Sequence, residues 1–222
     1  MPKPLGKHSL LGIFGGTFDP IHFGHLRLAE EARDHLGLEA VLWIPAGQPP
    51  HRGVPRVTAR QRMDMVQLAI GDNPAFQLDP AEVEADRPSY TVPTLERLRA
   101  EYGRERSLLL LVGADAFAGL PTWHRWRDLF DLANIGVAHR PGFPVEASSL
   151  PTELAEQFEV RRVDRGGLAG RPAGGISTFP MTPLAIAATQ IRQLLAEGRS
   201  PRYLLPAAVL DYIETNRLYR NS

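Results

Sequence analysis

The sequence predicts an α/β protein: a Rossmann-like, doubly wound, mostly parallel sheet with helices on both faces and a small helical C-terminal part. Three observations lead there. Short apolar runs alternate with longer segments whose apolar residues recur every three or four positions, the pattern of strands interleaved with amphipathic helices. The run Ser107 to Val112 is apolar almost throughout, as expected of a central parallel strand covered on both faces. A Gly-Gly pair joins the first apolar run to the first helical pattern, and such a strand-to-helix turn is a natural phosphate site.

Taken in order, Leu10 to Phe14 reads as a buried strand. A helix beginning near Phe23 or Gly24 follows, with Leu26, Ala29, Ala32 and Leu36 along one stripe. Glu39 to Pro45 reads as a second strand. Thr58 to Ile70 reads as a helix with Thr58 as N-cap and Met63, Val66 and Ile70 on its inner side. Ala75 to Leu78 gives a third strand, and Thr91 to Tyr102 a helix that Gly103 ends. Ser107 to Val112, Asn134 to His139 and Ile176 to Met181 supply three more strands. Two helices, near Ala188 to Glu197 and Pro206 to Asn216, close the chain. The Gly/Arg-rich stretch Arg165 to Gly175 reads as a loop, and the Pro/Gly-rich regions 46–57 and 141–175 are expected to be the mobile parts.

Composition narrows the function classes. With 222 residues the chain suits one domain, taken as 1–222 with a helical C-terminal portion from about 183; this size buries about 70% of the surface its unfolded form exposes. There is no cysteine, which excludes disulfides, thiolate metal sites and a cysteine nucleophile. Lys+Arg and Asp+Glu are 25 each, so no net field draws the protein to nucleic acid or to an anionic membrane. The N-terminus lacks the pattern of a signal peptide, and no apolar stretch approaches membrane-spanning length. A cytoplasmic protein with small-molecule substrates is the expectation.

The most informative segment is Gly15-Gly16-Thr17-Phe18-Asp19-Pro20-Ile21-His22-Phe23-Gly24-His25. Glycines and backbone N–H groups meet two histidines at a helix start, a combination suited to phosphate chemistry. Neither a P-loop nor a G-x-G-x-x-G turn occurs. The spacing of His22 and His25 is not that of the H-E-x-x-H zinc helix, and no third ligand stands out, so no protein metal site is assigned. The segment resembles the H-x-G-H signature of the nucleotidyltransferase superfamily. That resemblance implies that His22 and His25 contact a nucleoside triphosphate and stabilise the phosphoryl group in transfer.

Further motifs follow in order: Pro49-Pro50-His51-Arg52, Ser89-Tyr90-Thr91-Val92-Pro93-Thr94-Leu95, Val112-Gly113-Ala114-Asp115, Leu120-Pro121-Thr122-Trp123-His124 and Ile186-Ala187-Ala188-Thr189-Gln190-Ile191-Arg192. Together, from about Ser9 to Tyr219, they resemble the bacterial nicotinate-mononucleotide adenylyltransferase family. The resemblance implies transfer of AMP from ATP to nicotinate mononucleotide, with Mg²⁺ accompanying ATP, to give nicotinate adenine dinucleotide and pyrophosphate in NAD biosynthesis.

It also implies residue roles. Gly15, Gly16, Thr17 and Phe18 would approach the α-phosphate, and Thr189 and Arg192 the β- and γ-phosphates. Gly113 and Asp115 would surround the adenosine ribose, although an aspartate there also reads as a helix N-cap. Trp123 would stack on the pyridine ring, with core packing as its other reading; Trp126 is the expected core member. Backbone N–H groups near Thr91 and His124 would receive the nicotinate carboxylate. His51 and Arg52 would reach the mononucleotide phosphate from a loop, against the alternative of ordinary surface charge, and Arg140 would act similarly.

This chain departs from the family pattern I-S-S-T-x-I-R, placing Ala187 and Ala188 where serines belong. Backbone amides survive that change, but the hydroxyls and an N-cap are lost, a cost of about 1–2 kcal/mol. Pro93 stands where the family usually has aspartate and suits the first turn of a helix. Competing readings are an enzyme preferring nicotinamide mononucleotide, a phosphopantetheine adenylyltransferase, and a non-catalytic nucleotide-binding regulator on the same fold. A bifunctional regulator with an attached kinase is excluded by the lack of a P-loop or spare domain.

Overall fold

The computed structural model describes residues 9–50 and 55–220. The chain opens with β1 (Leu10–Gly16), α1 (Phe23–Leu36), β2 (Leu38–Pro45), α2 (Ala59–Ile70) and β3 (Phe76–Leu78). It continues through α3 (Ala81–Glu84), α4 (Thr91–Tyr102), β4 (Leu108–Gly113), α5 (Ala114–Ala118), α6 (Leu129–Leu132) and β5 (Asn134–His139). Then come α7 (Thr152–Arg161), α8 (Arg165–Leu168), β6 (Ile176–Pro180), α9 (Ala188–Ala196) and α10 (Ala207–Thr215). The strands form one six-stranded sheet in the order β3-β2-β1-β4-β5-β6. This is the doubly wound Rossmann-like order, whose direction of growth reverses between β1 and β4.

The parallel registers run Leu11 to Leu108, Leu110 to Ile135 and Val137 to Thr178. Leu11, Leu108, Leu109, Ile135, Val137 and Ile176 are completely buried, so these strands are apolar on both faces. One exception is Asn134, buried at the start of β5. Its amide donates to Arg171 O at 2.8 Å and accepts from Gly175 N–H at 2.8 Å, which satisfies a polar group that burial alone would penalise.

Two compact units can be distinguished. One combines the start of β1 with Leu28–Leu42 and Tyr90–Pro183; the other combines Gly15–Arg27, Trp43–Ser89 and the chain from Leu184 onward. In the first, Arg99 of α4 donates to the carbonyls of Leu132 (2.7 Å), Arg106 (2.5 Å) and Pro172 (2.6 Å), and Ser107 Oγ donates to Arg171 O at 2.7 Å. In the second, α2 starts on a full capping box: Thr58 Oγ1 accepts from Gln61 N–H, and the Gln61 side chain accepts from Thr58 N–H.

The stretch 141–175, expected as loop, contains α7 and the one-turn α8. Leu154, Phe158 and Leu168 are completely buried. Asp164 caps α8 by accepting from Gly167 N–H at 2.7 Å, so the Gly-rich sequence turns once into helix before resuming as loop.

Candidate active site

The second unit holds the Gly15–His25 turn. After β1 the chain passes through Phe18, a non-glycine residue at φ 48°, and reaches α1 at Phe23. His22 therefore lies just before the helix and His25 in its first turn. The rings nevertheless stack, with centroids 3.8 Å apart and planes 28° from parallel. His25 Nδ1 accepts from the His22 backbone N–H at 3.2 Å. An accepting Nδ1 puts the neutral ring's proton on Nε2, so His25 presents a fixed N–H donor. Phe18 stands edge-on to His25 with ring centroids 5.1 Å apart, holding the imidazole from the side.

His22 is only 6% exposed, and burial lowers its pKa to about 4. Its Nδ1 is buried with no hydrogen-bond partner, an orphan polar atom of a kind that native structures keep for a reason. The glycine of H-x-G-H is explained by the same ring. A Cβ on Gly24 would lie 3.1 Å from His22 Cε1 and Nδ1, so a side chain there would displace the imidazole. Gly16 is constrained likewise: its Cβ would come within 2.8 Å of the Phe18 ring.

Arginines hold the turn's backbone. Arg62 of α2 is 1% exposed; its Nη1 donates to Thr17 O at 2.7 Å and its Nη2 to Gly47 O at 3.0 Å. Across a trans peptide the carbonyl and the following N–H point opposite ways, so the Phe18 N–H is aimed away from Arg62. Arg192 Nη1 donates to Asp19 O at 2.6 Å, and its Nη2 reaches Thr189 Oγ1 at 3.3 Å. Thr189 and Arg192, three residues apart, thus share a face of α9. The helix begins at Ala188, and Ala187 occupies the N-cap with extended dihedrals but no side-chain acceptor.

Asp19 was not singled out beforehand, although it stands inside the motif. Its carboxylate is 7% exposed and accepts from Tyr219 Oη at 2.7 Å and from Arg56 N–H at 2.9 Å. Arg62 was missed as well. The available signal was a cation four residues before Val66 on the inner face of an amphipathic helix, where an arginine needs buried partners.

The first unit holds the remaining described candidates. Gly113 is the N-cap of α5 with extended dihedrals, and Asp115 is its second residue, exposed. The reading of Asp115 as N-cap is therefore corrected: the backbone turns into helix at Gly113, two residues earlier. Thr91 opens α4, whose N-cap Tyr90 makes no side-chain capping bond. The Tyr90 and His124 rings are 4.7 Å apart, which brings the start of α4 beside the Trp123–His124 segment. Trp123 is half-buried after a turn of 3₁₀ helix, whereas Trp126 is buried against Phe130. Arg140 is exposed just past β5. His51 and Arg52 lie outside the described residues.

The predicted residues are thus grouped as follows. Gly15, Gly16, Thr17, Phe18, His22, His25, Thr189 and Arg192 belong to the second unit; Thr91, Gly113, Asp115, Trp123, His124 and Arg140 belong to the first. Among the described residues no three His, Asp or Glu side chains gather to hold a metal ion, and no helix is long and apolar enough to cross a membrane.

Comparison with known proteins shows the family and the fold. The family model described as Cytidylyltransferase-like matches residues 13–194. A protein of Dechloromonas aromatica named "Probable nicotinate-nucleotide adenylyltransferase" is 70% identical over 213 residues, covering 96% of this chain and 98% of the relative. A Pseudomonas aeruginosa protein of the same name is 48% identical over 218 residues, covering 97% and 99%. In fold, the chain is similar to Plasmodium falciparum nicotinic acid mononucleotide adenylyltransferase complexed with NaAD, with a TM-score of 0.72 at 15% identity, covering 96% of this chain and 98% of that one. A histidine pair at the start of α1, the Rossmann-like strand order and 70% and 48% identity over nearly the whole chain converge: the chain belongs to the nicotinate-nucleotide adenylyltransferase family.

Proposed function

We propose that the chain transfers AMP from ATP to nicotinate mononucleotide, yielding nicotinate adenine dinucleotide and pyrophosphate, with the phosphate chemistry carried by the Gly15–His25 turn. The observation that carries the residue assignment is the His22–His25 pair, in which the bond from His22 N–H to His25 Nδ1 leaves an Nε2–H donor on His25. Phosphoryl transfer calls for positioning and for neutralising charge on equatorial oxygens, and fixed neutral N–H donors supply both without a covalent intermediate. A phosphate oxygen of nicotinate mononucleotide attacks the α-phosphorus in line. One P–O bond forms, the bond to the β-phosphate breaks, and pyrophosphate departs. The acceptor phosphate is ionised at neutral pH, so no general base is required.

In this reading His22, His25, Gly15, Gly16, Thr17 and Phe18 face the α-phosphate, and Thr189 and Arg192 the β- and γ-phosphates. Gly113 and Asp115 take the adenosine ribose. Thr91, Trp123, His124, Arg140, His51 and Arg52 take the mononucleotide. Nucleotidyltransferases of this kind generally use a divalent metal. No carboxylate cluster gathers among the described residues, and Asp19 is already engaged, so Mg²⁺ suits this chain as a partner of the ATP phosphates. The whole chain, including the helical part from about 183, then acts as one cytoplasmic catalytic domain.

The test is pyrophosphate release from ATP and Mg²⁺ with nicotinate mononucleotide, nicotinamide mononucleotide or phosphopantetheine. Release with the acid far above the other two is the expected result. Equal or greater kcat/KM with the amide would replace the acceptor, and nucleotide binding without release from any of the three would favour the regulator.

A further inference from the structure

We infer that Tyr219, near the end of the chain, is a positioning residue for adenylyl transfer: its hydroxyl holds the Asp19 carboxylate, so that Arg192 remains on the Asp19 carbonyl and within reach of ATP. This rests on the assignment of Arg192 to the β- and γ-phosphates.

A buried carboxylate inside a site for a polyanion is an anomaly. It repels the ligand and competes with it for any nearby cation. Asp19 is 7% exposed, belongs to the phosphate turn itself, and its carbonyl accepts from Arg192. Its oxygens are accounted for by specific donors: Tyr219 Oη on Oδ1 at 2.7 Å and the Arg56 N–H on Oδ2 at 2.9 Å. Arg192 Nη1 sits 4.0 Å from Oδ2, whereas its bond to the carbonyl of the same residue is 2.6 Å. The guanidinium is therefore docked on a neutral oxygen, with the carboxylate turned to the phenol and the amide. A cation bound to a neutral acceptor keeps its charge for a phosphate; one locked in a close ion pair does not.

The approach of Tyr219 is itself distinctive. Arg217 (φ 53°) and Tyr219 (φ 61°) are both non-glycine residues in the left-handed region, a backbone that persists only where the surroundings impose it. Between them Leu218 is buried, and its N–H donates to Ile213 O at 3.0 Å, tying the segment to the end of α10. Burial, with the hydrogen bond to Asp19 second, raises the pKa of the phenol, which keeps it a donor across the working range.

Removing the Tyr219 hydroxyl frees one carboxylate oxygen. Asp19 then closes the remaining gap to Arg192 and withdraws that charge from ATP. The experiment is steady-state kinetics on Y219F, which retains the ring, alongside R192A, D19N and the double variant D19N/Y219F, with thermal melts of each. Y219F is expected to raise KM for ATP about tenfold, the scale of one hydrogen bond to a charged group, while kcat stays within about threefold. In the D19N background, where no carboxylate competes, adding Y219F should move KM for ATP less than about twofold. Raised KM in R192A with unchanged kinetics in Y219F would overturn the role of Tyr219 and leave that of Arg192 standing. Unchanged KM in R192A would overturn both. A lower melting temperature for Y219F without the KM effect, or the same KM effect in the D19N background, would reduce Tyr219 to packing.

Discussion

With Nδ1 already an acceptor, the neutral His25 ring carries its proton on Nε2, and the contribution proposed for it in the reaction is a fixed, oriented N–H. Loss of one such donor from a preorganised site lowers kcat about 10²–10³-fold. His25→Ala is expected to lose at least a hundredfold in kcat with its circular dichroism unchanged, and near-normal turnover would refute the assignment. His22 makes a different prediction, one about stability. Its folded pKa is about 4, below the unfolded value near 6.5. At pH 7 both states are neutral there. As the pH falls from 6.5 towards 4 only the unfolded chain takes up the proton, so stability declines through that window, by on the order of 3 kcal/mol at its foot. Urea unfolding from pH 7 to pH 4 should show that decline, and His22→Asn should flatten it by a similar amount. Equal slopes in the two proteins would contradict a buried neutral His22.

Among the elements, α9 is a helix that starts without a side-chain cap. Ala187 has extended N-cap dihedrals without an oxygen to accept an N–H. Ala187→Ser would restore the acceptor, with an expected gain of about 1 kcal/mol in denaturant unfolding and a lower KM for ATP if that helix start faces phosphate. Most elements were legible beforehand. The bounds of α4 follow from Pro93 in its first turn and Gly103 just beyond its end, and the central strands announced themselves as unbroken apolar runs. Helix α7 was not legible. Its buried residues Leu154 and Phe158 are spaced correctly, but only two of its ten residues are buried and Pro/Gly-rich sequence surrounds it. The histidine motif stood out because its residue types are rare together. Its supports did not, since Arg62, Asp19 and Tyr219 meet only after distant parts of the chain have folded.

At the scale of the whole molecule, no continuous stretch contains the second unit, which is assembled from three separated segments. Its last segment supplies Arg192, the Leu204 carbonyl that accepts from Phe23 N–H, Tyr212 bonded to Asp64, and Tyr219. A chain ending at Pro183 would leave the Asp19 carboxylate without its phenol and strip the apolar partners of Val209, Leu210 and Ile213. That truncation is expected to abolish ATP binding by calorimetry and to broaden thermal unfolding. A sharp transition with retained ATP affinity would show that the segment is dispensable.

The bond between Tyr219 and Asp19 also has a bearing on birth. The two residues are 200 positions apart. At ribosomal rates of about 5–20 residues per second, Asp19 is made about 10–40 s before its phenol partner. A nascent chain therefore carries the entire histidine motif for most of its synthesis without the contact that seats its acid. A ribosome stalled between Arg192 and Tyr219 therefore holds a chain whose Arg192 lacks that support, and weaker affinity for ATP is the expected consequence.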